Sequence, residues 1–178
     1  ENSFINYFKS NTEIYKGMKQ IDDKLGGTTP LDIILQFENK EENEELVADD
    51  FGEDLLDDEG DESDPSANWF TTDKIHKIKK VHDYLDGLPE VGKVLSLAST
   101  IRVAEELNDN KELDSLEIAL LYKRAPESVK DVAVNPYISI ADNQARINLR
   151  ILDSQENLRR KELINKIDYD LVNNLGFT

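Results

Sequence analysis

A run of acidic residues in the first half of the chain is incompatible with a packed domain. Between residues 41 and 64, 14 of 24 side chains are acidic, and no Lys or Arg lies between Lys40 and Lys74. Carboxylates at this density repel one another, and the apolar side chains among them are too few to offset the entropy of ordering. The pattern therefore predicts a long, disordered acidic loop, inserted over residues 39–68.

The remainder of the chain has an ordinary composition. The 178 residues carry a net charge of −17, but without the 14 clustered carboxylates 24 acidic and 21 basic residues remain, a net charge of −3. A content of 38% hydrophobic residues is sufficient for a core. We therefore expect a single domain over residues 1–178. The overall negative charge argues against nucleic acid as a partner, because that binding needs Lys and Arg.

Clustered carboxylates also raise the alternative of weak, diffuse Ca²⁺ binding in the insert. An EF-hand loop places oxygen ligands at positions 1, 3 and 5 and Gly at position 6. Aligning Gly60 with position 6 puts Leu55 at position 1, and aligning Gly52 there puts Val47 at position 1. Neither register fits, so a solvated loop is the preferred interpretation.

Apolar periodicity predicts the elements on either side of the insert. The expected elements are a helix over residues 10–25 ending at Gly26, a strand over 31–37, a helix from Thr72 to Leu85, and a strand over 91–97. Together they form a βαβ unit with the acidic insert in its crossover.

The second half of the chain adds a helical insertion over residues 99–134, a β-hairpin and a last helix. The hairpin pairs residues 137–141 with 145–151, and the last helix is expected to open with a capping box at Asp153. This order fits an α+β fold of the ferredoxin-like, split βαβ type if one hairpin arm is an edge strand and residues 176–178 begin a further strand.

One near-match to a phosphate-binding loop spans Gly87 to Val94, with the GxxxxGK pattern. That loop needs a strand before it, a helix after it and a hydroxyl residue beside the Lys. Here a helix precedes, a strand follows and Val94 occupies the hydroxyl position. We therefore predict a helix-to-strand turn at this point.

Other candidate residues are equally weak indicators of chemistry. His76 and His82 lie six residues apart on one predicted helix, about 120° apart around its axis, and are expected on its partly exposed surface rather than around one metal ion. Arg146 and Arg150 face one side of a strand, which is a solvent or interface face with an anion site as the alternative. The chain has no Cys. We predict no enzyme activity, no catalytic residue, no cofactor and no metal site.

Four segments together resemble one family. They are residues 1–8 (ENSFINYF), 24–32 (KLGGTTPLD), 88–96 (LPEVGKVLS) and 142–150 (DNQARINLR). In this order and spacing they are similar to the extracytoplasmic loop between the first two transmembrane helices of resistance-nodulation-cell division (RND) superfamily exporters, in the branch of predicted lipid or hydrophobe exporters. The resemblance covers the chain except the acidic insert.

The resemblance implies a porter-type domain on the periplasmic side of a bacterial inner-membrane protein. Residues 1–27 would then form a membrane-proximal helical segment, and the chain would stop before a final strand. The implied partners are the remaining domains of the same transporter chain, a hydrophobic or lipid-like substrate, and further copies in a homo-oligomer of the full-length protein. Proton coupling would lie in transmembrane helices outside this sequence. The competing expectation is a soluble acidic protein–protein interaction module that docks through the helix predicted over residues 113–123.

Overall fold

The computed structural model describes residues 4–38, 69–155 and 158–177. The predicted acidic loop, and with it the Ca²⁺ alternative, lies outside these residues. The described part is an α+β arrangement of a four-stranded antiparallel sheet and six α-helices, preceded by a short 3-10 helix at Phe4–Tyr7. In chain order the elements are α1 (Glu13–Leu25), β1 (Thr29–Gln36), α2 (Thr72–Asp86), β2 (Val91–Leu95), α3 (Leu97–Leu107), α4 (Ser115–Arg124), α5 (Glu127–Ala133), β3 (Ile138–Ser139), β4 (Gln144–Ile151) and α6 (Arg160–Asn173).

Strand β4 is the centre of the sheet. Strand β1 pairs with its whole length, from Thr29 opposite Ile151 to Gln36 opposite Gln144. Strands β2 and β3 share the other edge of β4, at its C-terminal and N-terminal ends respectively. Because β1 and β2 are both antiparallel to β4, they run in the same direction with β4 between them.

One face of the sheet carries the core. The alternate residues of β4 that point to this face are almost completely buried, and the stripes of α2 and α6 pack over them. These residues are Ala145, Ile147, Leu149 and Ile151 on β4, Ile75, Ile78, Val81 and Leu85 on α2, and Leu163 and Ile167 on α6. The predicted strand alternation and the predicted α2 stripe are thereby confirmed.

The last helix begins later than the sequence predicts. A capping box at Asp153 is wrong, because α6 begins at Arg160 and Asp153 is a buried partner of the Arg160 guanidinium. The chain after α6 also differs from expectation. Phe177 donates its N–H to the Leu171 carbonyl at 3.0 Å and lies outside any strand.

Two further element ends differ from the predicted ones, in each case because a nearby side chain caps a helix. Helix α1 begins at Glu13 rather than at residue 10, because Thr12 caps it by accepting the Tyr15 N–H. Strand β2 stops at Leu95 because the Ser96 side chain caps α3. The predicted helical insertion therefore starts slightly earlier than residue 99, with α3, and continues through α4 and α5 as expected.

Candidate functional site

Two glycines after α1 bring that helix against the end of the sheet. Gly26 and Gly27 have φ of +72° and +104°, a region that side chains rarely adopt. A Cβ on Gly26 would lie 2.6 Å from the Gly92 carbonyl oxygen, and one on Gly27 would lie 2.5 Å from that of Ile151. The turn therefore touches β2 and β4 backbone to backbone, and we call this contact the glycine junction.

A buried carboxylate secures the same junction. Asp22 is the buried residue of α1, at 0% exposure, and it accepts hydrogen bonds from Thr28 Oγ1 at 2.6 Å, the Ser154 N–H at 2.8 Å and the Asp153 N–H at 3.1 Å. Burial raises the pKa of Asp22, but these hydrogen bonds outweigh it and hold the pKa below its usual 3.8. A charged Asp22 thus joins α1 to the chain that follows β4.

The near-match to a phosphate loop is the helix-to-strand turn that the sequence predicts. Gly87 caps the end of α2, and Gly92 lies within β2 against Gly26. The two glycines of the GxxxxGK pattern therefore have structural roles, Gly87 at the end of a helix and Gly92 in a close backbone contact.

The two histidines differ in their surroundings. His76 is exposed, as expected, but His82 is 5% exposed, so the prediction of a partly exposed surface residue is wrong for it. Its Nδ1 lies 2.9 Å from Ser96 Oγ, and Ser96 also caps α3. Burial lowers the pKa of His82, and the Arg102 charge lowers it further.

The His82 environment predicts a pH effect on folding. Because the folded pKa lies below the ordinary value of 6.5, the unfolded chain binds the proton more readily. The free energy of unfolding should be fully retained above pH 6.5 and decrease as the pH falls through the folded pKa. Urea titrations between pH 8 and 5 should show this decrease in the wild type and in the control His76→Asn, and a flatter profile in His82→Asn. A wild-type slope in His82→Asn would contradict the assignment.

The sheet face opposite the core is lined mainly by polar side chains. The residues on it are Pro30, Asp32, Ile34 and Gln36 from β1, Gln144, Arg146, Asn148 and Arg150 from β4, and Lys93 and Leu95 from β2. Asp32 accepts from Arg146 Nη2 at 2.5 Å and from Asn148 Nδ2 at 2.7 Å, which lowers the Asp32 pKa. Arg146 and Arg150 are the two arginines for which an anion site is the alternative interpretation, and Arg146 is already paired with a carboxylate.

Apolar side chains on the helices form a second kind of surface. Helix α1 carries apolar side chains at helical spacing, as its periodicity predicts. Ile14 and Leu25 among them are 56% and 55% exposed, so the described residues cover only about half of this apolar stripe. The helical insertion is more open still, with Leu107 at 85% and Leu116 at 66%. Further exposed apolar residues there and on α6 are Val103, Leu120, Leu121, Val129, Val132, Ile164, Tyr169 and Val172.

The polar sheet face and the exposed apolar helix surfaces are both available as contact surfaces. No three metal-ligating side chains converge anywhere in the described ranges. A groove of about 340 Å³ between the α2–β2 turn and the start of α6 is lined by charged and apolar side chains: Glu90, Gln155, Leu158, Arg159, Glu162, Leu163 and Lys166. In this groove Arg159 is already paired with Glu162 at 2.8 Å.

Among the helices of the described residues, none combines the length and the apolar character needed to cross a bilayer. Comparison of the chain with protein-family models, with curated proteins and with solved structures gives no match.

Proposed function

We propose that this chain is an extracytoplasmic porter domain of an RND-superfamily exporter that handles hydrophobic or lipid-like molecules. The observation that carries the proposal is the glycine junction. Gly26 and Gly27, Gly92, and the end of β4 next to Arg150 belong to three of the four segments on which the resemblance rests. Segments that lie far apart in the sequence thus form one contact, which supports treating them as parts of one pattern.

The finer fold assignment is a ferredoxin-like, split βαβ domain. Its support is the β1–β4–β2 order, with α2 in the crossover between the parallel strands and α6 after β4. The outer edge of β1 gives further support. Phe37 donates its N–H to the Asn143 carbonyl, so the odd-numbered residues of β1 bond to β4 and the even-numbered ones point their backbone groups away from it. That edge has room for the additional strand of such a fold.

In this proposal the half-open apolar surfaces of α1, of the insertion and of α6 face other domains of the same transporter. Apolar walls between two such domains would let a hydrophobic molecule pass without contact with water. Movement of the domains, driven by proton-coupled transmembrane helices outside this sequence, would advance the substrate. The domain itself contributes no catalytic residue and no cofactor, and the full-length protein forms a homo-oligomer.

A topology experiment tests the proposal. Alkaline phosphatase, inserted into full-length protein in the exposed turn at Asn108–Asn110, should be active because the reporter folds only after export. The same insertion in the chain of residues 1–178 without flanking sequence is the control and should be inactive. Inverted vesicles containing the full-length protein should also accumulate a hydrophobic dye when a proton gradient is imposed. An inactive reporter in the full-length protein would refute an extracytoplasmic domain.

The second candidate is an acidic protein–protein interaction module, favoured by the strong exposure of Leu107, Leu116 and Val132. Weak Ca²⁺ binding by the acidic insert belongs to this alternative. The two candidates differ in the flanking sequence that they require. The exporter needs membrane-spanning segments on both sides of this sequence, and the interaction module does not. Saturable heat in a calorimetric titration with Ca²⁺ would favour the module.

A further inference from the structure

We propose that Lys93 and Arg150, together on the open face of the sheet, bind the anionic head group of an amphipathic substrate. The two residues are direct cross-strand partners on β2 and β4, and both are exposed. Neither is paired with a carboxylate of the described residues. The other cation of this face, Arg146, is held by Asp32. The cations of this face that have no carboxylate partner among the described residues are therefore Lys93 and Arg150, and we call this cross-strand pair the row.

A β-bulge creates this juxtaposition. Val91 pairs with Ile151 and Lys93 with Arg150, so two steps along β2 match one step along β4, with Gly92 as the extra residue. Strict alternation would point Lys93 to the same side as Val91, which is buried. The bulge instead turns Lys93 to the open face, while Val94 returns to the core. Gly92 cannot be replaced freely, since it touches Gly26.

Two like charges directly opposite each other on neighbouring strands destabilise the sheet. Their Cβ atoms lie about 5 Å apart in such a pair, so an ammonium and a guanidinium can converge on one anion and remove the repulsion. A carboxylate or phosphate accepts two parallel hydrogen bonds from a guanidinium and a third from Lys. The row therefore fits a single carboxylate or phosphate group.

The surroundings of the row favour an amphipathic molecule over a small inorganic anion. Leu95, two residues along β2 on the same face, is half-buried, and Ile34 is 52% exposed on β1. A hydrocarbon tail can lie on these side chains while its head contacts Lys93 and Arg150. The net charge of the whole chain, −17, opposes the approach of anions, so binding at the row must come from the local contacts of Lys93 and Arg150. Identifying the ligand as a transport substrate rests on the proposed function.

The test is a titration of the ¹⁵N-labelled chain of residues 1–178 followed by NMR. Sodium octanoate and octyl phosphate should shift the amides of residues 92–95 and 148–151 saturably, and inorganic phosphate and octanol should each bind more weakly. In the double variant Lys93→Gln/Arg150→Gln the affinity for both octyl anions should fall at least tenfold. The matched control Lys19→Gln/Lys80→Gln removes the same charge from exposed lysines on α1 and α2 that pair with no carboxylate of the described residues, and it should bind as the wild type does.

Three results would overturn the proposal: no saturable shift, an equal loss of affinity in the control variant, or octanol binding as tightly as octanoate. Unchanged core amide shifts in the double variant establish that it is folded. The relative affinities of octanoate and octyl phosphate decide between a carboxylate and a phosphate head. If the anions do not bind but the full-length protein passes the topology test, the head-group site is wrong and the porter assignment stands. If they bind and the topology test fails, the anion site stands without an exporter.

Discussion

Replacement of Gly92 by Ala should destabilise the fold by about 3 kcal/mol, the upper part of the range for overpacking a close contact. A Cβ at this position would lie 2.5 Å from the Gly26 carbonyl carbon and 2.6 Å from its oxygen. Both atoms are backbone, and Gly26 is the cap that fixes the end of α1. Neither strand nor helix can move away without opening the glycine junction, so the added methyl group cannot be accommodated by a side-chain rotation.

Urea unfolding followed by circular dichroism would measure this effect, with Gly17→Ala as the matched control. Gly17 lies in the middle of α1, and a Cβ there would meet nothing within 4 Å. The control should gain about 0.5–1 kcal/mol, because Ala is the better helix former. Gly26→Ala should be destabilising for the same reason as Gly92→Ala, and the two changes should cost less together than the sum of their separate effects. A Gly92→Ala variant as stable as the wild type would contradict the close contact between β2 and the α1 turn.

Elements with local signals are the ones that the sequence predicts well. Strand β1 alternates between the core and the open face, and α2 carries Ile75, Ile78, Val81 and Leu85 at helical spacing after a Thr N-cap. The hairpin is also readable, because Asn143 supports the left-handed turn conformation with φ of 52°. In each case the information lies within a few residues of the element itself.

The misses involve partners that are distant in the sequence. His82 is buried because it meets Ser96 on the next segment, although its spacing of four from Ile78 and three from Leu85 already puts it near the buried stripe. The local pattern predicts Asp153 as a helix cap, but the Asp153 N–H donates a hydrogen bond to the Asp22 carboxylate, 131 residues earlier. A local pattern cannot distinguish these uses of a polar residue.

The candidate anion site illustrates the same limit. Sequence alternation indicated Arg146 and Arg150 as neighbours on one face, which the strand confirms. Arg146 is the one that is already paired, because Asp32 lies next to it on β1. Lys93 lies opposite Arg150 only because of the bulge at Gly92. A bulge shifts the register by one residue and thus exchanges the two faces, so the position of Lys93 could not follow from alternation alone.

Replacement of Asp22 by Ala should cost about 3 kcal/mol, because it leaves buried donors without an acceptor. The Asp153 and Ser154 N–H groups, which follow β4 directly, would lose their common partner. The neighbouring Asp23 is exposed and accepts one 3.2 Å hydrogen bond from Ser154 Oγ, so Asp23→Ala is the control and should cost less than about 0.5 kcal/mol. Urea unfolding at pH 7 would compare the two variants. Equal losses would mean that Asp22 has no special role at the junction.

The pH dependence separates the charge of Asp22 from its shape. Because the folded pKa of Asp22 is lower than its usual 3.8, the carboxylate contributes stability that is present above pH 3.8 and is lost as the pH falls through the folded pKa. Asp22→Asn keeps the size and one acceptor oxygen but carries no charge. Its unfolding free energy should therefore fall less steeply than that of the wild type between pH 4 and 2, while Asp23→Asn should retain the wild-type slope. A parallel decline of wild type and Asp22→Asn would show that hydrogen bonding to a neutral group is enough to hold α1 on the sheet.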